Sequence, residues 1–214
     1  MAEHTQVVHH SHLTELSMES HIKNNIKSCF YQLRQLWSIR KSITNSVAKS
    51  LINAFVISKL DYCNCVLYGA SAVNLRSLQS VLNAAARFAS KRHKFDHIAD
   101  VLVNLHWLPI DKRIVYKMCM LMYKCLHNTA PKYLSCTCIP VAAEEGRSHL
   151  RSAKRGDLIV PRSKTRYGDC GFSVAGPSCW NELPMDVRDN SLSLQMFKCK
   201  LKTYLFRTAY VVHG

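Results

Sequence analysis

Cysteines are the residues best suited to chemistry in this chain of 214 residues, which contains ten of them. Two pairs stand one residue apart, Cys63 with Cys65 and Cys136 with Cys138. Four thiolates would satisfy a tetrahedral zinc ion, but structural zinc sites usually separate paired cysteines by two residues. We therefore expect free thiols in a reducing compartment, with no metal and no cofactor, and keep a zinc site at these pairs as the weaker alternative.

Familiar catalytic patterns are absent from the sequence. It contains no GxxxxGK[ST] or GxGxxG phosphate loop, no GxSxG nucleophile elbow and no HExxH zinc motif. Two-metal phosphoryl transfer needs several carboxylates close together, whereas the fourteen acids are scattered and only Glu144 and Glu145 are adjacent. The sequence thus predicts a protein that is not an enzyme.

Basic residues give the strongest signal. Lys and Arg number 29 against 14 Asp and Glu, for a formal net charge of +15. Between Ser20 and Phe95 the chain has twelve bases and one acid, Asp61. Such a surplus indicates an anionic partner, either nucleic acid or acidic lipid. No apolar run approaches the roughly 18 residues of a membrane-spanning helix, so we expect no membrane span. Of the two anionic partners, RNA or DNA rather than a membrane is the one that the family resemblance given below implies.

Helical spacing places many of these bases in rows without acids. A row of one sign forgoes the ion pairs that helices usually form between positions i and i+4, so a bound polyanion is its natural complement. A solvated face on a basic protein is the alternative, and the sequence favours neither interpretation over the other. The nucleic-acid-binding residues predicted from the basic segments are Lys23, Lys27, Arg34, Lys41, Arg76, Arg87, Lys91, Arg92, Lys94, Arg113, Lys117, Lys124, Arg162, Lys164 and Arg166.

Aromatic residues stand beside several of these bases, where their rings can stack on nucleic-acid bases. Phe88 and Phe95 flank Lys91, and Tyr167 follows Arg166. The three tryptophans are individually expected to be core residues rather than stacking platforms; they are Trp37, Trp107 and Trp180.

Apolar residues recur with helical spacing over most of the chain and predict a mainly α fold. The predicted helices cover 17–41, 43–60, 72–91, 96–105 and 112–127, and a closing helix carries Leu194, Phe197, Leu201 and Leu205. The apolar stripe predicted for the first helix is Ile22, Ile26, Cys29, Leu33 and Leu36, and the core face predicted for the helix at 72–91 is Leu75, Leu78, Leu82, Ala85 and Ala89. The residues predicted to face the core from the second helix are Val47, Leu51, Ala54, Phe55 and Ser58. Asp111 is the predicted N-cap of the helix at 112–127, whose Met and Cys residues are expected to fill the core.

Composition and the spacing of apolar residues divide the chain into three parts. Residues 1–16 predict a disordered tail; because they lack the basic start and apolar stretch of a signal peptide, we expect an intracellular protein, cytoplasmic or nuclear. Residues 17–130 predict a helical bundle. Residues 131–214, rich in Gly and Pro, predict a basic, loop-rich module with short strands at 158–161 and 171–174 and a terminal helix.

Several long motifs resemble one family of mobile-element proteins. They are, in chain order, SMESHIKNNIKSCFYQLRQL at 17–36, SKLDYCNCVLYG at 58–69, LQSVLNAAARF at 78–88, LHWLPIDKRIVYK at 105–117, LMYKCLHNTAPKYL at 121–134, LRSAKRGDLIVPRSKTRYGDCGFSVAGPSCWNELP at 150–184 and FKCKLKTYLF at 197–206. Together they are similar to the region that follows the polymerase domain in LINE-type non-LTR retrotransposon reverse transcriptases of the jockey and chicken-repeat groups.

The resemblance implies a non-catalytic fragment. The polymerase site of that family, a Tyr/Phe-Ala-Asp-Asp motif with an upstream Asp, lies before the matched region, and this sequence contains neither. The resemblance therefore implies a truncated C-terminal piece of a reverse transcriptase (RNA-directed DNA polymerase). Residues 17–130 would be its thumb-like bundle, which grips a template–primer duplex by its backbone. Alternatives are a protein-interaction module, which docks on an intact element polymerase, and an idle relic of the element.

Overall fold

A computed structural model describes residues 18–93 and 96–210, apart from the side chain of Arg166, and confirms the predicted mainly α fold. The predicted tail at 1–16, Lys94 and Phe95 lie outside the described residues. The helices are α1 (Glu19–Ile39), α2 (Asn45–Ile52), α3 (Ser58–Asp61), α4 (Ala72–Ser90), α5 (Ala99–Asn104), α6 (Ile110–Leu126), α7 (Lys132–Ser135), α8 (Arg151–Lys154), α9 (Arg166–Cys170), α10 (Phe172–Asn181) and α11 (Leu194–Tyr210). None of them is both long and apolar enough to cross a lipid bilayer.

The first hydrophobic cluster is built by α1, α2, α4, α5 and the first turns of α6. The side chain of Ser71 caps α4 by accepting the backbone N–H of Asn74 at 3.3 Å. The predicted stripe of α1 is confirmed: its buried members are Ile22, Cys29, Leu33 and Leu36, and Ile26 is half-buried. The core face of α4 is confirmed as well, because Leu78, Leu82, Ala85 and Ala89 are buried there.

The core face predicted for residues 43–60 is wrong by about one position. Of the predicted residues, Leu51 is half-buried against the first cluster, whereas Val47 and Phe55 are 46% and 45% exposed. The residues that are buried instead are Ala48, Ile52, Val56, Ile57 and Leu60. Apolar residues stand on both candidate faces, so helical spacing alone fits either one. In addition, the π-helical turn Asn53–Ile57 joins α2 to α3, and its wider turn rotates the residues that follow it.

The second hydrophobic cluster is formed by the last turns of α6 together with α10 and α11. As predicted, Met118, Met122 and Cys125 fill this core, and so does Trp180. Gly176 lets α10 approach α6 closely, because a Cβ atom at this position would lie 2.5 Å from the Met122 sulfur. Since Ile110 and Ile114 belong to the first cluster, α6 contributes to both cores.

Four local predictions need correction. Helix α6 begins at Ile110, whose N–H donates to the Gln79 side chain at 2.9 Å, so an amide from α4 caps the helix and Asp111 lies in its first turn. Helix α5 covers only part of 96–105. Residues 171–174 begin α10 rather than forming a strand. Instead of a strand at 158–161, the structure has an isolated antiparallel bridge between Leu158 and Pro140, and the Asn181 side chain accepts the Leu158 N–H and donates to its carbonyl, both at 2.8 Å.

Candidate nucleic-acid interface

Most of the predicted nucleic-acid-binding residues are exposed cations. Ten of them form no ion pair with any carboxylate in the described ranges: Lys27, Arg34, Lys41, Arg76, Lys91, Arg92, Lys117, Lys124, Arg162 and Lys164. Arg162 and Lys164 lie on the exposed segment before α9. Lys94 lies outside the described residues, as does the side chain of Arg166. The remaining three predicted residues have partners or are partly buried.

Helix α1 carries the longest row of these cations. Its apolar stripe faces the core, so Lys23, Lys27 and Arg34 are held on the adjoining exposed face. Lys23 Nζ lies 2.6 Å from Glu19 Oε1, one helical turn away. The hydrogen bond and the charge of Lys23 lower the pKa of Glu19. Because an exposed pair of this kind is weak and easily screened, a phosphate can replace Glu19 as the partner of Lys23.

A buried arginine fixes the end of this row. Arg40 is 3% exposed, and its Nε donates to the Phe88 carbonyl at 2.7 Å. Its other nitrogens donate to the carbonyls of Ile43 at 3.1 Å and Ala89 at 3.3 Å and to Asn45 Oδ1 at 2.7 Å. The guanidinium carbon also lies 5.3 Å from the centre of the Phe88 ring. Arg40 therefore ties the end of α1 to the end of α4.

Three exposed cations follow these anchor points; we call Lys41, Lys91 and Arg92 the junction cluster. Lys41 is the next residue after Arg40, and Lys91 directly follows α4 with a φ of 56°. The Arg92 N–H donates to the Arg87 carbonyl at 3.1 Å, the bond expected when a helix ends with a left-handed residue. This backbone hydrogen bond thus fixes the positions of Lys91 and Arg92 at the end of α4. The junction cluster extends the row of α1 onto a second helix.

Two predicted residues are instead built into the fold. Arg113 forms a two-pronged ion pair with Asp61, with nitrogen–oxygen distances of 2.8 and 2.5 Å. This pair ties α6 to the end of α3 and neutralises the one acid between Ser20 and Phe95. Arg87 is half-buried, and its Nε is buried without a hydrogen-bond partner among the described atoms. Neither guanidinium is presented to solvent as Lys27 and Arg34 are.

A groove of about 500 Å³ runs between α6 and α11; we call it the α6–α11 groove. Lys117 and Lys124 line one wall and Lys198 lines the other. A smaller hollow of about 280 Å³ shares Lys117 and adds Lys202. Sequence reasoning missed both α11 lysines, although their spacing of four residues places them on one helix face. The carboxylate among the lining residues is Asp61, which is already held by Arg113.

The cysteine pairs do not assemble into a metal site. Cys63 and Cys136 are exposed, Cys65 is half-buried and Cys138 is buried, with its sulfur 3.8 Å from that of Met122. Within residues 18–93 and 96–210, no group of three or more Cys, His, Asp or Glu side chains could hold a metal ion. Burial raises the pKa of Cys138, so this thiol stays protonated. The zinc alternative therefore has no supporting geometry.

The predicted stacking residues differ in accessibility. Phe88 is fully buried and Tyr167 is exposed. Trp107 is half-buried, and Trp180 is a core residue as expected. The expectation that Trp37 lies in the core is wrong, because this side chain is 44% exposed and only partly covered by Phe88.

Comparisons with protein-family models, curated proteins and solved structures give no match to this chain.

Proposed function

We propose that this chain binds RNA or DNA through contacts with phosphate groups. One observation carries the proposal: exposed cations follow one face of α1 and continue into the junction cluster, and the only carboxylate that pairs with them in the described ranges is Glu19. Cations held this way repel one another, and a phosphate chain supplies the missing counter-charges. Phosphate contacts position a nucleic acid without reading its sequence.

The motif order supports a more specific origin within this proposal. The residues of this chain would belong to the C-terminal region of a LINE-type non-LTR reverse transcriptase, in which α1 and α4 are part of a thumb-like bundle. Without the Asp-Asp motif of the polymerase domain the chain would have no polymerase activity by itself. A nucleic-acid-binding role also favours a cytoplasmic or nuclear location.

A charge-reversal experiment tests the proposal. The variant K27E/R34E/K41E changes three exposed cations, and K132E/R151E/K154E changes three exposed cations of the C-terminal half as a matched control. Fluorescence anisotropy with labelled RNA and DNA at low salt should show at least about tenfold weaker binding for the first variant and a much smaller change for the second. For the unaltered chain, contacts by the six cations of α1 and the junction cluster predict a slope in log affinity against log salt of about −4 for a single strand and about −5 for duplex DNA. Absence of binding at low salt, or binding indifferent to salt, would contradict the proposal.

A second candidate function has its own structural support. The exposed side chains of Val47, on α2, and Phe55, in the π-helical turn that follows it, are apolar surface that a protein partner, such as an intact element polymerase, would cover. If the charge-reversed variant kept its nucleic-acid affinity but lost a protein partner, the chain would be an interaction module instead.

A further inference from the structure

Two exposed aromatic rings lie within the cationic row of α1. Phe30 and Trp37 are 38% and 44% exposed. Read along the helix, the order of side chains is Lys23, Lys27, Phe30, Arg34, Trp37 and Lys41, with steps of four or three residues throughout. At 100° per residue these positions stay within about 40° of one line, with Lys41 in the turn Arg40–Ser42 that continues the helix. We call this surface the aromatic–cationic face.

Phe30 and Trp37 are far enough apart to contact separate bases, and Trp37 is held in place by a buried neighbour. Seven residues separate Phe30 from Trp37, which places them about 10.5 Å apart along the helix axis, so each can contact a base of its own. Trp37 meets the buried Phe88 edge to face, with ring centres 5.2 Å apart and planes at 88°. Arg40 contacts the same Phe88 ring. Trp37 is therefore anchored from within while part of its ring stays open to solvent, so little side-chain freedom is lost on binding.

The rings distinguish between two forms of nucleic acid. A duplex stacks its bases internally and would offer this face only phosphates. An unpaired strand also offers the flat faces of its bases, which stack on aromatic rings whatever their sequence. On α1 the cations alternate with the rings at intervals of about one helical turn. This order matches a single strand, in which charged phosphates alternate with flat bases.

We propose that the aromatic–cationic face binds single-stranded RNA or DNA. Unpaired bases stack on Phe30 and Trp37, while Lys27, Arg34 and Lys41 contact the flanking phosphates. This inference rests on the proposed function and adds the class of ligand to it. It differs from the duplex grip that the family resemblance implies.

Probe chemistry gives the first test. The full chain is titrated at one salt concentration with a short oligothymidylate, its ribo counterpart, an abasic strand of equal length and a blunt duplex. Stacking on two rings predicts that both unpaired strands bind at least about tenfold more tightly than the abasic strand, and more tightly than the duplex compared at equal phosphate number.

Matched variants give the second test. Phe30→Leu and Trp37→Leu remove one ring each, and Phe55→Leu removes an equally exposed ring in the π-helical turn that follows α2. Each of the first two should lower affinity for oligothymidylate about fivefold or more and leave the abasic strand unaffected, and Phe55→Leu should change neither. Quenching of fluorescence on binding, lost in Trp37→Leu, would place a base at this ring. Phe30→Leu alone keeps the test decisive if Trp37→Leu fails to fold.

The outcomes separate the two proposals. If the abasic strand and the duplex bind as tightly as oligothymidylate, or if Phe30→Leu weakens the abasic strand equally, the single-strand inference is overturned while phosphate binding stands. If none of the probes binds at low salt, the proposed function fails and this inference fails with it.

Discussion

The N-terminal region (residues 18–93) and the C-terminal region (residues 131–210) differ in how often their basic residues are paired with carboxylates. In the C-terminal region, Asp157 accepts hydrogen bonds from both Arg155 and Arg188, at 2.6 and 2.7 Å. Arg147 pairs with Glu144 there at 3.1 Å. In the N-terminal region, by contrast, Lys27 and Arg34 have no carboxylate partner among the described residues. A buried arginine paired with a carboxylate is thus found in the C-terminal region, whereas the row of α1 has Glu19 as its one carboxylate partner in the described ranges; exposed cations without an ion pair, such as Arg162 and Lys164, occur in the C-terminal region as well.

The comparison also separates residues within the N-terminal region. Arg40 has no carboxylate partner either, yet carbonyl oxygens and an asparagine side chain occupy its nitrogens, so it stabilises the fold. Under the proposed function, a binding cation would combine exposure with unoccupied nitrogen atoms. Lys27 and Arg34 meet that description, whereas Arg40 in this region and Arg113 in α6 do not.

The largest effect is expected at the buried carboxylate of the C-terminal region. Asp157→Asn removes the charge that faces the buried Arg188, and an uncompensated buried charge costs about 3–5 kcal/mol. Urea unfolding should show a loss of this order, whereas Glu144→Gln, at an exposed pair, should change stability by less than about 1 kcal/mol. Nucleic-acid affinity of the folded protein should stay the same. If Asp157→Asn bound nucleic acid more weakly without losing stability, the C-terminal region would take part in binding and the contrast between the two regions would fail.

Acid titration provides a control for this variant. Burial raises the pKa of Asp157, but the hydrogen bonds and charges of Arg188 and Arg155 outweigh burial and hold the pKa below its ordinary value of 3.8. A lowered pKa in the folded state means that the stabilisation is present above pH 3.8 and is lost as the pH falls through the folded-state pKa. The difference in stability between the unaltered chain and Asp157→Asn should therefore shrink at strongly acidic pH. A difference that stays constant would show that the loss comes from packing.

A smaller effect is expected where Arg40 joins α1 to α4. In Arg40→Lys a single ammonium replaces the planar guanidinium, so it cannot reach all the acceptors that Arg40 now occupies. Leaving buried carbonyls unsatisfied should cost about 1–3 kcal/mol in urea unfolding. Nucleic-acid affinity should also fall, because the junction cluster loses its fixed position. As a control, Lys49→Arg changes an exposed base of α2 and should leave both measurements unchanged; unchanged affinity in folded Arg40→Lys would show that the junction cluster does not bind.

The smallest effect is expected at Glu19, the acid that pairs with the row of α1. Glu19→Gln frees Lys23 and removes a negative charge that repels phosphate, so affinity should rise by about twofold to fivefold at low salt. The gain should vanish at high salt because the charge is exposed and screened. Asp100→Gln, at an exposed acid of α5, should give a smaller gain. Equal gains from both would indicate that only net charge matters, rather than the arrangement of cations on α1.

Regular helices explain why part of this molecule could be predicted from sequence. The stripes of α1, α4 and α6 each have one clearly apolar face, so their buried residues and the exposed bases beside them follow from spacing. The face of α2 could not be predicted, because apolar residues stand on both sides and a π-helical turn intervenes.

Tertiary contacts explain what remained hidden at the candidate site. By residue type, Arg40 does not differ from the exposed bases near it. The one sequence signal for its burial is its position four residues after Leu36, which continues the apolar stripe of α1. Lys198 and Lys202 reach the α6–α11 groove only because α11 packs against α6. No local pattern encodes that contact, since more than seventy residues separate Lys124 from Lys198.

Because α6 inserts its first turns into one hydrophobic cluster and its last turns into the other, the two halves of the molecule share one helix. Cutting the chain at the start of the Gly- and Pro-rich segment would expose the sulfur-rich end of this helix, at Met118, Met122 and Cys125, to water. The halves are thus expected to melt in one cooperative transition, so a ligand that binds α1 would protect α11 from unfolding as well.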